Sequence, residues 1–175
     1  YVTDDSIVSS VIGDNFNIIK ASNVGVNEEV TVTLDGKHAD DIHDNYDETI
    51  STITGVDLIL YEDDGLKGNQ TIISDSDVTL YSEGNGINVA NGNYVNIKAA
   101  ELTLNQGAGF EAIRAEDGGK VDIDVDDVAL TSKVYVNGDG SIVNITGVND
   151  VSITSTKGSA INNASAGSVI KVGNE

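Results

Sequence analysis

The sequence predicts an all-β protein, a single-stranded right-handed parallel β-helix (β-solenoid) of about six to seven coils with three short strands per coil. Three observations predict it. First, one acid-led strand motif keeps returning: "EVTVT" at 29–33, "DLILY" at 57–61, "DVTLY" at 77–81, "ELTLN" at 101–105, "DVALT" at 127–131 and "DVSIT" at 150–154. Second, an isoleucine precedes each of the last five acids: Ile53 before Asp57, Ile73 before Asp77, Ile97 before Glu101, Ile123 before Asp127 and Ile145 before Asp150. Third, a further apolar patch follows the motif and ends in turn residues, as in "INVANGN" at 87–93, "VYVNGDG" at 134–140 and "AINNASAG" at 160–167. Self-similarity with a period of about 20 to 28 residues is the mark of stacked units that cannot bury their apolar faces alone.

Each element follows from its residues. Residues 1–15 are an irregular start or a first coil, and the repeats run from about residue 16. Two-residue alternation in the motifs marks strands with one buried face. The earlier patches "VNI" (95–97), "VDI" (121–123) and "VNI" (143–145) supply another strand. Asn-Gly and Gly-Asp pairs supply the positive φ angles of tight corners. Parallel crossovers are nearly always right-handed, which sets the expected hand. Stacked coils about 4.8 Å apart place equivalent side chains in files. The expected inward files are Ile53/Ile73/Ile97/Ile123/Ile145, Leu58/Val78/Leu102/Val128/Val151 and Leu60/Leu80/Leu104/Leu130/Ile153. Outside, Asp122 is expected between Asn96 and Asn144, Asp124 between Lys98 and Thr146, and Tyr61 beside Tyr81, neighbours that avoid like-charge repulsion. Residues 35–48, "DGKHADDIHDNYDE", lengthen one coil as a protruding loop or short helix. "FEAIRAEDGG" at 110–119 has helix-forming composition stopped by glycines and is expected to bulge from its corner.

The bulk composition fits one domain over residues 1–175. The chain is 39% hydrophobic but only 5% aromatic, and Val, Ile and Leu suit strands. It has no Pro, Cys, Met or Trp, so neither disulfides nor thiolate metal sites arise. No stretch approaches the roughly 20 apolar residues of a membrane span, so no membrane insertion is expected within this segment. A net charge of −20 argues against nucleic acid, whose phosphates it repels, and favours a self-repelling, extracellular surface compatible with cations.

From about residue 16 onward the coils resemble pectin-lyase-like right-handed β-helices. They are most similar to the stalk-like passengers of bacterial autotransporters and filamentous haemagglutinin-type adhesins. The motifs carrying the resemblance are "DVTLY", "ELTLN", "DVALT" and "DVSIT" with their "VNI" and "VDI" partners. The resemblance implies a surface location and a role in adhesion or display, and it brings no functional residue with it.

The candidate site is the acid that opens each motif strand: Glu29, Asp57, Asp77, Glu101, Asp127 and Asp150. Stacked, these carboxylates form one file down a corner, and neighbours about 5 Å apart repel by roughly 0.8 kcal/mol at water's dielectric constant. A bound cation would offset that repulsion, and calcium, which takes oxygen ligands in flexible geometry, is the candidate ion. The competing reading is structural: acids before a strand form local turns and discourage aggregation. It is favoured because one file of oxygens makes an incomplete calcium shell, so no cofactor is required. His38 and His43 lie with Asp40, Asp41, Asp44 and Asp47 in the insertion, but an i, i+5 pair does not share a helical face and reads as solvated loop.

Catalysis has little to draw on. Arg114 is the only arginine, no base cluster surrounds it, and aromatic platforms for glycosidase work are scarce. Asn-x-Ser/Thr triplets at Asn69, Asn144 and Asn163 occur about as often as such a composition generates by chance. The expected function is therefore a non-catalytic structural or adhesive module of a microbial cell-surface or extracellular protein, a stalk or adhesin segment. Its partners would be a host or neighbouring-cell surface glycan or protein, or copies of itself stacked end to end. The alternative is a polysaccharide-binding or lyase-type β-helix protein. "SVIKVGNE" at 168–175 begins another strand, which suits a segment of a longer or polymerising protein.

Overall fold

A computed structural model describes residues 17–22, 30–35, 56–62 and 64–174, and among them every regular element is a strand. In chain order these are β1 (Asn17–Ser22), β2 (Val30–Asp35), β3 (Val56–Glu62), β4 (Gln70–Ile73), β5 (Val78–Ser82), β6 (Ile87–Val89), β7 (Tyr94–Asn105), β8 (Ile113–Ala115), β9 (Lys120–Leu130), β10 (Val134–Val136), β11 (Ile142–Ile153), β12 (Ile161–Asn163) and β13 (Val169–Asn174). One sheet runs β1-β2-β3-β5-β7-β9-β11-β13, with β4 also on β7, and a second runs β6-β8-β10-β12. From β2 onward all pairing is parallel, between strands one coil apart. The molecule is a parallel β-solenoid.

Strands β7 and β9 each serve two faces. Val95, Ile97 and Ala99 point inward at one parity, then Leu102 and Leu104 point inward at the other, so a corner lies at Ala100–Glu101. Val121, Ile123 and Val125 change to Val128 and Leu130 in the same way. A third face comes from β6, β8, β10 and β12, whose inward positions are Ile87/Ile113/Val134/Ile161 and Val89/Ala115/Val136/Asn163. Four three-faced turns are complete, from β4 through β12, with β2, β3 and β13 as further rungs of the long sheet. The described residues thus make about four turns rather than six to seven.

The two motif files run as expected. Leu58, Val78, Leu102, Val128 and Val151 stand in register, as do Leu60, Leu80, Leu104, Leu130 and Ile153. Asp122 lies between Asn96 and Asn144, Asp124 lies between Lys98 and Thr146, and Tyr61 pairs with Tyr81. Lys98 Nζ meets Asp124 Oδ2 at 3.2 Å. The corners after the third face use the expected turn residues: Asn91 and Gly92 have φ of 58° and 77°, and Asp117 and Gly118 have 49° and 83°. These corners also stack, the Gly92 N–H donating to Asp117 O at 3.2 Å and the Asp117 N–H to Asn137 O at 3.2 Å. Buried Ser141 donates from Oγ to Asn137 O and accepts the Gly118 N–H.

Four expectations are corrected. The partner of Ile97 is Ile72, fully buried, while Ile73 lies opposite Lys98 and is 39% exposed. The corner from Ile72 to Val78 holds one residue more than that from Ile97 to Leu102, so counting back from the acid lands one place late. "EVTVT" is displaced by two: Val32 pairs with Leu58 and Leu34 with Leu60. A slip of two keeps every side chain on its own face, so apolar alternation could not detect it. β1 pairs antiparallel with β2, because the link 23–29 is too short for a parallel crossover of a dozen or more residues. Finally, 110–119 holds no helix. Ala112, Ile113 and Ala115 are buried, and Ile113–Ala115 is β8, so parallel pairing on both sides overrides helix propensity. Ile53, residues 1–15 and the insertion at 35–48, apart from Asp35 at the end of β2, lie outside the described residues.

The correction at Ile72 is testable by denaturant unfolding. Ile72→Ala is expected to cost about 2–5 kcal/mol as a core truncation, and Ile73→Ala within about 0.5 kcal/mol as a surface one. The reverse order would restore the original file.

Candidate functional site

The acid file is partly assembled by the register. Glu101 lies opposite Asp127 and Asp127 opposite Asp150. Asp77 immediately precedes Val78, which pairs with Leu102, so it enters the strand in the same phase. Asp57 lies opposite Thr31, a result of the two-residue displacement of β2, and Glu29 is outside the described residues. Around Asp127 the file is not purely acidic, because the Asn149 amide donates to Asp127 Oδ2 at 3.1 Å. Thr103 Oγ1 donates to Glu101 Oε1 at 3.4 Å. Glu101 and Asp150 are exposed and Asp127 is half-buried. Among the described residues no group of three or more His, Asp or Glu side chains gathers closely enough to hold a metal ion. His38, His43 and their neighbouring acids are outside those residues.

A denser polar network lies beside the second sheet. Asp64 Oδ1 accepts both the backbone N–H and the side-chain Nδ2 of Asn85, each at 3.1 Å. Its Oδ2 accepts Asn88 Nδ2 at 2.9 Å and meets Lys67 Nζ at 3.2 Å. Buried Asn85 passes the connection on, its Oδ1 accepting the Glu111 N–H at 3.1 Å. The Glu111 carboxylate meets Lys133 Nζ at 2.9 Å and Arg114 at 3.7 Å, and Arg114 Nε donates to Glu116 at 2.9 Å. Arg114 and Lys133 both stand over the Tyr135 ring, 5.1 and 5.3 Å from its centre. These side chains follow the stack because the register sets Asn88, Arg114 and Tyr135 in one outward file.

Electrostatics match the geometry. Burial pushes the Asp64 carboxyl up, but the Asn85 N–H, Lys67 and Asn88 outweigh it and hold the group below the usual aspartate value. Burial likewise opposes the Arg114 charge, and Glu116, Glu111 and Tyr135 outweigh it, so its pKa is raised. Both groups are fixed in their charged forms by partners one coil away or less. That is a binding arrangement among coils, and neither group is poised to exchange a proton near neutrality.

Nothing local in the sequence marks Asp64 and Asn85. Their partners lie 21, 24 and 26 positions away, one coil length in each case. The three Asn-x-Ser/Thr asparagines are absorbed differently: Asn69 Oδ1 accepts the Tyr94 N–H, Asn144 lies within β11, and Asn163 bonds Ser168.

Two outcomes test these sites. Because the folded pKa of Asp64 is depressed, its contribution is fully present above the unfolded pKa and is lost as pH falls through the folded value. Asp64→Ala should therefore cost about 1–3 kcal/mol at pH 7 by leaving Asn85 donors unmet. By urea unfolding, the gap to wild type should shrink as pH falls below about 4. At the acid file, Asp127→Asn should raise the melting temperature at low ionic strength, by removing a like charge between Glu101 and Asp150, and the gain should fade in 1 M salt as screening tightens to about 3 Å.

Comparison with known proteins found no matching family model, no similar curated protein and no similar solved structure.

Proposed function

We propose that this chain is a non-catalytic structural and adhesive module of a microbial cell-surface or extracellular protein, a stalk or adhesin segment. What supports the reading is the direction of its polar ties. Asp64 to Asn85, Asn85 to Glu111 and Glu111 to Lys133 each pass from one coil to the next, alongside the parallel backbone pairing. A rod whose bonds run along its axis resists being pulled apart and holds what it displays at a fixed height. The −20 charge keeps such rods from one another and from anionic surfaces at short range. Its partner in this reading is a surface glycan or protein of a host or neighbouring cell. Calcium is not required by the reading.

The test immobilises the purified chain and passes it over panels of surface glycans and cell-surface proteins, in calcium and in chelator. Retention with the ligand left chemically unchanged, equal in both media, is expected. Failure to be retained on any surface overturns the adhesive reading. Release of unsaturated, ultraviolet-absorbing products from uronate polymers would establish the lyase alternative instead, and retention lost in chelator would give the ion an obligatory part.

A further inference from the structure

The coil built from β12 and β13 differs from those beneath it in charge. Between Asp150 and Glu175 the chain carries Lys157 and Lys171 and no acid, the longest acid-free stretch of the sequence. That stretch holds the end of β11 and all of β12 and β13. Lys171 lies in β13, and Lys157 stands on a corner of seven residues (154–160), where the corner one coil below (131–133) has three and the next (106–112) again seven. Both lysines are exposed. In a chain of net charge −20 this coil is locally cationic.

Its inward side is only half covered. Val172 is in register with Ile145, and Ile161 with Val134. Ile145 and Val134 are buried, whereas Val172 is 41% and Ile161 45% exposed. Among the described residues β12 and β13 are the outermost strands of their sheets, each with a neighbour on one side. Edge strands are commonly blunted by Pro or a bulge. The chain has no Pro, and β13 runs against β11 without a register shift from Val169 to Asn174. The coil is also held in shape: Asn163 Nδ2 donates to Ser168 O at 3.0 Å, and Ser168 Oγ to Ser165 O at 2.8 Å. An edge already ordered loses little entropy on pairing.

The opposite end supplies the complement. There β1 is the outermost strand of the long sheet, so that sheet has a free edge at each end among the described residues. Residues 28–64 carry twelve acids against Lys37 alone, and of these Asp35, Asp57 and Glu62 lie in β2 and β3. Flank to flank, two copies set acid against acid. Last coil to first, they set lysine against acid, and opposite charges steer encounter and fix orientation.

We propose that the β12–β13 coil of one copy docks end to end on the β1 end of a second copy, with β13 pairing along the free edge of β1, Val172 covered at the joint, and Lys157 and Lys171 turned toward the acids of the second copy's first coils. Because the two ends differ, the contact is head to tail and repeats into filaments. The inference goes beyond the adhesive reading and does not depend on it.

The test follows the full chain by analytical ultracentrifugation and negative-stain microscopy at concentrations up to about 1 mM. Species that grow with concentration into unbranched filaments one molecule wide are expected. Lys171→Glu should raise the concentration needed about tenfold or more, and Lys120→Glu, the same charge change at an exposed position in the middle of the stack, should leave it unaltered. Val172→Lys adds positive charge yet should abolish filaments, because it sets an ammonium inside the joint. Melting curves like that of wild type verify that the variants fold, and the exposed Lys171→Glu decides the matter should Val172→Lys unfold. A monomer at every concentration, equal weakening by Lys171→Glu and Lys120→Glu, or undiminished filaments in a folded Val172→Lys overturns the proposal. Dimers that grow no further would mean that like ends meet, and would overturn the head-to-tail arrangement.

Discussion

Parallel backbone pairing between turns of equal phase is the constraint from which the rest of this molecule follows. Once Leu104 pairs with Leu80 on one side and Leu130 on the other, alternation forces Leu102 inward and Glu101 and Thr103 outward, and the same choice is imposed on the coils above and below. The core is then a set of aliphatic files, Val95/Val121/Val143 and Ile97/Ile123/Ile145 among them, each member buried. A side chain of this size contributes about 1.5–3 kcal/mol when fully buried, and no coil can realise that without a neighbour. Outward positions are stacked as strictly as inward ones, which is why a carboxylate in one coil finds its donors one coil away.

That strictness also explains the division of labour among polar groups. Where a file would place carboxylates in succession, as at Glu101, Asp127 and Asp150, the groups remain near solvent and an Asn149 amide interposes. Where a carboxylate stands among amides, as at Asp64, it collects several donors, and Asn85 carries the tie onward to Glu111. Buried amides suit this task because asparagine offers both donors and an acceptor in one plane. Asn85 uses both kinds.

The fold was legible because its signal is repetition, and repetition survives without any single residue being diagnostic. Val78, Leu102, Val128 and Val151 could be aligned from their motifs alone. Ile73 could not be separated from Ile72, since both are isoleucine and the corner beside them carries an extra residue. "FEAIRAEDGG" read as helix from composition, yet its Ile113 and Ala115 keep the two-residue spacing of Ile87 and Val89 and its Asp-Gly follows as Asn-Gly does there. The acid file was visible as spacing, but the Asn149 amide within it was not. The Asp64 network escaped altogether, because its members share no local pattern and meet only when the coil length is known.

Corner length is the one quantity that the stacked files leave free. Three residues at 131–133 and seven at 106–112 close equally well over the same interior. Insertions and deletions at these corners therefore alter surface relief while the interior is untouched. A lineage built on this plan can reshape its outer surface by indels alone, with no compensating change among the aliphatic positions.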